Sequence, residues 1–139
     1  MSRPYERLIF YQNICEIRKF VFFTTERLKR DHLRLVSQMR DAARSAKQNI
    51  KEGYRRGSLA QFVNYLKISL ASLEELSGDV DDCLEDNLIT KNEYDYFVKL
   101  YRSAEYLTRQ YLKSMYTIEK QGTWKVPGEG ERKRSRNVP

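Results

Sequence analysis

Apolar residues recur at steps of three and four along two long segments in the middle of the chain. The periodic residues of the first segment are Val36, Met39, Ala43, Ala46, Ile50 and Gly53, and those of the second are Phe62, Leu66, Ser69, Leu70, Leu73, Leu76, Val80 and Leu84. This spacing puts each set on one face of a helix. Because a breaker segment over residues 53–58 separates them, the sequence predicts a helical hairpin with Leu70 and Leu73 in its core.

The two arms of this hairpin are predicted to pack closely. Small residues at Ala42, Ala43 and Ala46 let a partner helix approach toward the short end of the usual interaxial range. Ser58 followed three residues later by Gln61 is typical of a capping box, in which the two side chains each satisfy a free backbone N–H. The second arm is therefore expected to begin just after Ser58.

Two further helices flank the hairpin. The first runs from Tyr5 to about Arg27, with a core side made of Leu8, Tyr11, Ile14, Cys15, Val21 and Phe22. The last follows a second capping box, Thr90 to Glu93, and has a core seam of Phe97, Leu100, Tyr101, Ala104, Leu107, Tyr111, Met115 and Ile118. Since short connections favour antiparallel neighbours, the predicted fold is all-α, an up-down-up-down antiparallel four-helix bundle over residues 1–120.

The first helix carries apolar residues outside its core stripe. Ile9, Phe20 and Phe23 point away from that stripe, and a helix that is apolar nearly all round is expected to be buried nearly all round. A lone bundle cannot cover such a helix. These three residues are predicted to form an oligomer interface, with scattered exposed hydrophobic residues as the alternative.

The chain is basic, and much of the charge lies on the first arm of the hairpin. Lysine and arginine number 26 against 19 aspartates and glutamates, which gives a net charge of +7 and attracts polyanions. The candidate nucleic-acid-binding cations of this basic stripe are Arg40, Arg44, Lys47, Lys51, Arg55 and Arg56. The alternative is a solvated face.

Residues 121–139 are rich in glycine, proline and charge and lack apolar periodicity, so they are predicted to form a disordered basic tail. Its candidate nucleic-acid-binding residues are Arg132, Lys133, Arg134 and Arg136. Such tails contact nucleic acid or an acidic protein, or simply solubilise. Trp124 either anchors the tail or is exposed.

Catalytic and metal chemistry have little support in the sequence. The single histidine, His32, has no evident partner, and no phosphate-binding glycine loop follows a strand. The acidic stripe of Glu75, Asp79, Asp82 and Asp86 is expected to pair with Lys91, Lys99 and Arg102 on the last helix rather than to bind a metal. We therefore expect no enzyme activity, no metal and no cofactor.

The remaining composition indicates a cytoplasmic protein. Cys15 and Cys83 are interpreted as buried thiols in a reducing compartment. We expect neither a membrane span nor a signal peptide, because no stretch has the apolar length or the small-residue cleavage pattern that these need.

The central block also resembles a known family. The matching residues are Ser37-Gln38-Met39-Arg40, Ala42-Ala43, Ser45, Asn49-Ile50, Glu52-Gly53-Tyr54, Arg56-Gly57-Ser58, Phe62, Tyr65-Leu66, Ile68, Leu70, Ser72-Leu73 and Glu75-Leu76. Over residues 5–120 the chain is similar to the four-helix-bundle proteins encoded in intervening sequences of bacterial 23S ribosomal RNA genes, to which the accessory variability determinant (Avd) of diversity-generating retroelements is related. It departs from them at Lys47 and at residues 24–27, where family members often have a proline.

This resemblance implies a homopentamer that works with a reverse transcriptase and its template RNA, or with ribosomal RNA. Together with the charge, it favours a non-enzymatic accessory protein that binds RNA or DNA. The alternative is a protein-interaction scaffold with no direct nucleic-acid contact.

Overall fold

The computed structural model describes residues 3–121. A short 3₁₀ helix, Pro4–Arg7, precedes four α-helices: α1 (Ile9–Glu26), α2 (Leu33–Arg56), α3 (Leu59–Glu85) and α4 (Lys91–Gln121). This confirms the all-α fold class. The predicted tail, including Trp124 and the four candidate nucleic-acid-binding residues, lies outside the described residues except for Gln121, which ends α4.

The four helices form a ring in which each contacts two neighbours. Contacts join α1 to α2, α2 to α3, α3 to α4 and α4 back to α1, and none joins the diagonal pairs within residues 3–121. Neighbours are antiparallel: Arg27, just after α1, holds Glu93 at the start of α4 with two hydrogen bonds of 2.6 and 2.8 Å. Within the described residues, no helix is long and apolar enough to cross a bilayer.

Helices α2 and α3 pack closely, as the small residues predict. The Ser69 hydroxyl on α3 donates to the Ala46 carbonyl oxygen on α2 at 2.6 Å. A Cβ at Gly53 would lie 2.8 Å from Tyr65 Cβ, so only glycine fits there. The predicted break at Gly53 is wrong, because α2 continues to Arg56. Tertiary packing outweighs the low helix propensity of this glycine.

The turn between these helices consists of Gly57 and Ser58. Gly57 has φ 77°, in the left-handed region that favours glycine. Ser58 Oγ accepts from the Gln61 backbone N–H at 3.2 Å, but the Gln61 side chain accepts from the Ser58 hydroxyl instead of its backbone N–H. Half of this predicted capping box is therefore formed.

The second predicted capping box, at the start of α4, is complete. Thr90 Oγ1 accepts from the Glu93 backbone N–H at 3.1 Å, and Glu93 accepts from the Thr90 backbone N–H at 2.8 Å. The Glu93 carboxylate thus serves both this cap and the Arg27 contact.

The start of the chain departs from the predicted continuous helix. Leu8 is extended, with φ −67° and ψ 127°, and separates the 3₁₀ helix from α1. This break lets Tyr5 turn inward, where its ring packs against Tyr11 on α1 and Tyr54 on α2, with both pairs of ring centres 5.1 Å apart. The 3₁₀ helix is thereby fixed across the first two helices.

The buried face of α1 is rotated from the predicted one, because α1 packs against both α2 and α4. Ile14, Ile17 and Val21 are fully buried. Phe22, predicted to be core, is 44% exposed, and Cys15 is half-buried rather than buried.

The three predicted interface residues of α1 have different surroundings. Ile9 and Phe23 are 61% and 73% exposed. Phe20 is half-buried in the α1–α4 contact, with its ring centre 5.7 Å from that of Tyr96 and 5.9 Å from that of Phe97. Phe20 therefore has intramolecular partners that the sequence did not predict.

Candidate nucleic-acid interface

The predicted basic stripe begins at the seam between α2 and α1, where its first cation is held against α1. The Arg40 guanidinium donates to Thr25 Oγ1 at 3.0 Å and to the Phe22 carbonyl oxygen at 3.1 Å. It also lies 4.4 Å from the centre of the Phe22 ring and 3.7 Å from the Glu26 carboxylate. Arg40 therefore serves helix packing, because its contacts join α2 to the last turns of α1.

The last two cations of the stripe are paired within α2. Arg55 and Arg56 lie 3.4 and 2.8 Å from the Glu52 carboxylate. The Arg56 guanidinium is also 5.4 Å from the centre of the Tyr65 ring on α3. Both arginines remain exposed, but one carboxylate offsets part of their charge.

The middle of the stripe consists of Arg44, Lys47 and Lys51, whose charges are largely unpaired among the described residues. Within residues 3–121, the one ion pair here joins Arg44 to Asp41 at 4.0 Å, and Lys47 and Lys51 form none. An exposed pair at that distance contributes about 0 to 1 kcal/mol. Lys47 is half-buried and Lys51 is exposed, so both ammonium groups can meet an incoming anion.

The fold adds two cations that the sequence analysis did not identify. Arg3 and Arg18 line the same cavity as Arg44, Lys47 and Lys51. We term this cavity of about 490 Å³ the basic recess; its other lining residues are Tyr5, Glu6, Tyr11 and Gln48. Arg18 belongs to α1, so the periodicity of α2 could not identify it. The antiparallel pairing of the two helices, which sets Arg18 opposite Arg44, is the signal that could have done so.

Two tyrosines form the apolar wall of the recess. Tyr5 and Tyr11 are both buried and pack edge to face. Burial, together with the neighbouring Cys15, raises the pKa of the Tyr11 hydroxyl well above its ordinary value. A tyrosine is neutral at physiological pH even at its ordinary pKa of about 10, so this shift only reinforces the uncharged state of Tyr11.

The recess concentrates positive charge. Its lining contains five cations and one carboxylate, that of Glu6, which accepts a hydrogen bond from the Arg3 backbone N–H. A concave surface of one charge sign focuses its field and raises the local concentration of counterions. An anion entering the recess would offset repulsion among the cations and gain charge-assisted hydrogen bonds.

The acidic stripe of α3 does not form the predicted pairs. Among the described residues, none of the ion pairs joins Glu75, Asp79, Asp82 or Asp86 to α4; the pair linking α3 and α4 is Glu74 with Arg109 at 2.8 Å. Asp79 is instead buried and accepts from Gln38 on α2 at 2.9 and 3.0 Å. Asp79 does not pair with α4 because it faces α2. Burial raises the pKa of Asp79 above its ordinary value, while the Gln38 hydrogen bond opposes this.

The chain was compared with models of known protein families. The chain matches the family model described as "23S rRNA-intervening sequence protein" over residues 6–116. This region includes α1, α2 and α3, most of α4, and all cations of the recess except Arg3. A search of the curated proteins found no significant match.

Proposed function

The chain belongs to the 23S rRNA-intervening sequence protein family, and we propose that it is a non-enzymatic accessory protein that binds nucleic acid through the middle of its basic stripe and the basic recess. The family description supports an RNA-associated role. The observation that carries the proposal is that one cavity is lined by four cations, Arg18, Arg44, Lys47 and Lys51. Among the described residues, the one ion pair that these four form is the weak contact of Arg44 with Asp41.

A single protomer offers only a few phosphate contacts, and assembly would multiply them. We propose a homo-oligomer in which exposed Ile9 and Phe23 lie at subunit contacts. Each added subunit repeats the cations of the recess, so a weak electrostatic contact gains strength through avidity. The pentamer and a reverse transcriptase partner, with its template RNA, remain proposals from the family resemblance. Ribosomal RNA is the other candidate ligand.

The test is the salt dependence of binding to single-stranded RNA, followed by fluorescence anisotropy. Each phosphate neutralised releases counterions, so log K should fall with log salt concentration by about 0.7 per contact on single strands. A slope corresponding to several contacts supports the proposal. Absence of measurable RNA binding even at low salt would favour the protein-interaction scaffold.

A shortened chain ending at Gln121 tests whether the predicted basic tail makes the contact instead. If the shortened protein keeps its salt-dependent binding, the described helices carry it. If the binding disappears, Arg132, Lys133, Arg134 and Arg136 carry it, and the proposal for the recess is wrong.

A further inference from the structure

The basic recess is bounded at both ends. At one end the 3₁₀ helix spans α1 and α2, because Tyr5 packs against Tyr11 on one helix and Tyr54 on the other. At the other end Arg40 crosses from α2 to α1 through its hydrogen bonds to Thr25 and Phe22. A smaller cavity of about 70 Å³, also lined by Arg18 and Arg44, lies next to Arg40.

This shape suits the end of a chain better than its middle. The 3₁₀ helix and Arg40 narrow the α1–α2 seam on either side of the recess, so the recess favours a compact group from solvent over a strand that runs along the seam. A phosphate monoester also matches the charge, since it carries about −1.5 to −2 at neutral pH, compared with −1 for an internal phosphodiester, and has three strong acceptor oxygens.

We propose that the basic recess binds a phosphate monoester, such as the terminal phosphate of an RNA strand. The inference rests on the proposed function and specifies its ligand. Arg18 and Arg44 offer planar guanidinium groups that bind phosphate in a bidentate manner, and Lys47 and Lys51 act as point charges.

The test compares the affinities of three single-stranded RNA oligonucleotides that share one core sequence. The first has a 5′-phosphate, the second a 5′-hydroxyl, and the third a 5′-hydroxyl with two extra nucleotides, whose two phosphodiesters carry at least the charge of the 5′-phosphate. The 5′-phosphate strand should bind at least about tenfold more tightly than both others, the effect of one or more hydrogen bonds between charged groups. Equal affinity for the first and third strands would overturn the inference, although strong salt-dependent binding of all three would leave the proposed function standing.

Variants and a competitor locate the effect and identify the source of the phosphate. Arg18→Gln should abolish the preference for the 5′-phosphate, because it should weaken binding of the 5′-phosphate strand about tenfold more than binding of the 5′-hydroxyl strand; Lys99→Gln, on α4, is the matched control and should preserve the preference. If the preference survives Arg18→Gln in a folded protein, the recess is not the site.

Competition identifies the source of the phosphate. Adenosine 5′-monophosphate that displaces the strand at comparable concentration would identify a free nucleotide as the source, and failure to compete would identify an RNA end.

Discussion

Arg40 and Lys47 lie two turns apart on the same stripe of α2, and their surroundings give them different roles. Arg40 is engaged by Thr25, Phe22 and Glu26, so its charge is offset and its position is fixed. Lys47 lines the basic recess without an ion pair among the described residues. Residues that look equivalent in the helical pattern thus divide into a packing residue and a candidate ligand-binding residue. Only the position of α1 distinguishes them.

Leu73, in the middle of α3, is fully buried. Its truncation to alanine should lower the free energy of unfolding by about 2 to 5 kcal/mol, because the change removes buried methyl groups and leaves a cavity. Ile68 on the same helix is 40% exposed, and Ile68→Ala is the matched control with an expected loss of about 1 kcal/mol or less. Chemical denaturation measures both variants, and similar losses would mean that the face of α3 is assigned wrongly.

The burial of Asp79 predicts how the stability of the fold depends on pH. Burial raises its folded pKa, so its ionised form disfavours the folded state. Stability should therefore fall as pH rises through the folded pKa of Asp79, and Asp79→Asn should raise the melting temperature at pH 7. The advantage should disappear below about pH 3.9, the ordinary aspartate value, where the carboxyl group is neutral in both states. A variant less stable than the wild type at pH 7 would show that the Gln38 hydrogen bond outweighs the cost of burial.

At the scale of the helices, local sequence patterns predict the order of the four helices well and the contacts between them less well. Periodicity and the Thr90 cap fix the order of the helices and the start of α4. The periodicity could not show that α2 continues through Gly53, because this depends on the close contact of Gly53 with Tyr65 on α3. The recess was missed for the same reason: Arg3 and Arg18 join Lys47 only when the 3₁₀ helix and α1 pack on α2. Sites made within one helix can be predicted from sequence, whereas sites between helices need the packing.

Two glycines inside helices offer a controlled test of the α2–α3 contact. Gly53→Ala should destabilise the protein by about 1 to 3 kcal/mol, because the new Cβ would meet Tyr65 Cβ at 2.8 Å. Gly78→Ala, on α3, meets nothing within 4 Å and should stabilise by up to about 1 kcal/mol through helix propensity. Thermal and chemical denaturation of the pair check this. Stabilisation by both substitutions would mean that the two helices lie further apart.

For the whole molecule, the exposed apolar residues of α1 predict assembly. Ile9 and Phe23 remain exposed in the isolated protomer, and their burial against another copy would remove them from water. Light scattering after size exclusion should give a mass several times 16.6 kDa. Ile9→Asp with Phe23→Asp should lower this mass without loss of helix by circular dichroism. A wild-type monomer at micromolar concentration would contradict the prediction.

The central claim, that α2 and the basic recess bind nucleic acid, is tested most directly by comparing two double variants of equal charge. Lys47→Gln with Lys51→Gln alters the recess. Lys99→Gln with Lys113→Gln alters α4, which does not contact α2 within the described residues. The measurement is RNA affinity over a range of salt concentrations. The recess variant should bind more weakly and flatten the salt slope by roughly one to two units for each protomer engaged, while the α4 variant should resemble the wild type. Equal effects of the two variants would contradict the claim, because binding would then follow net charge alone.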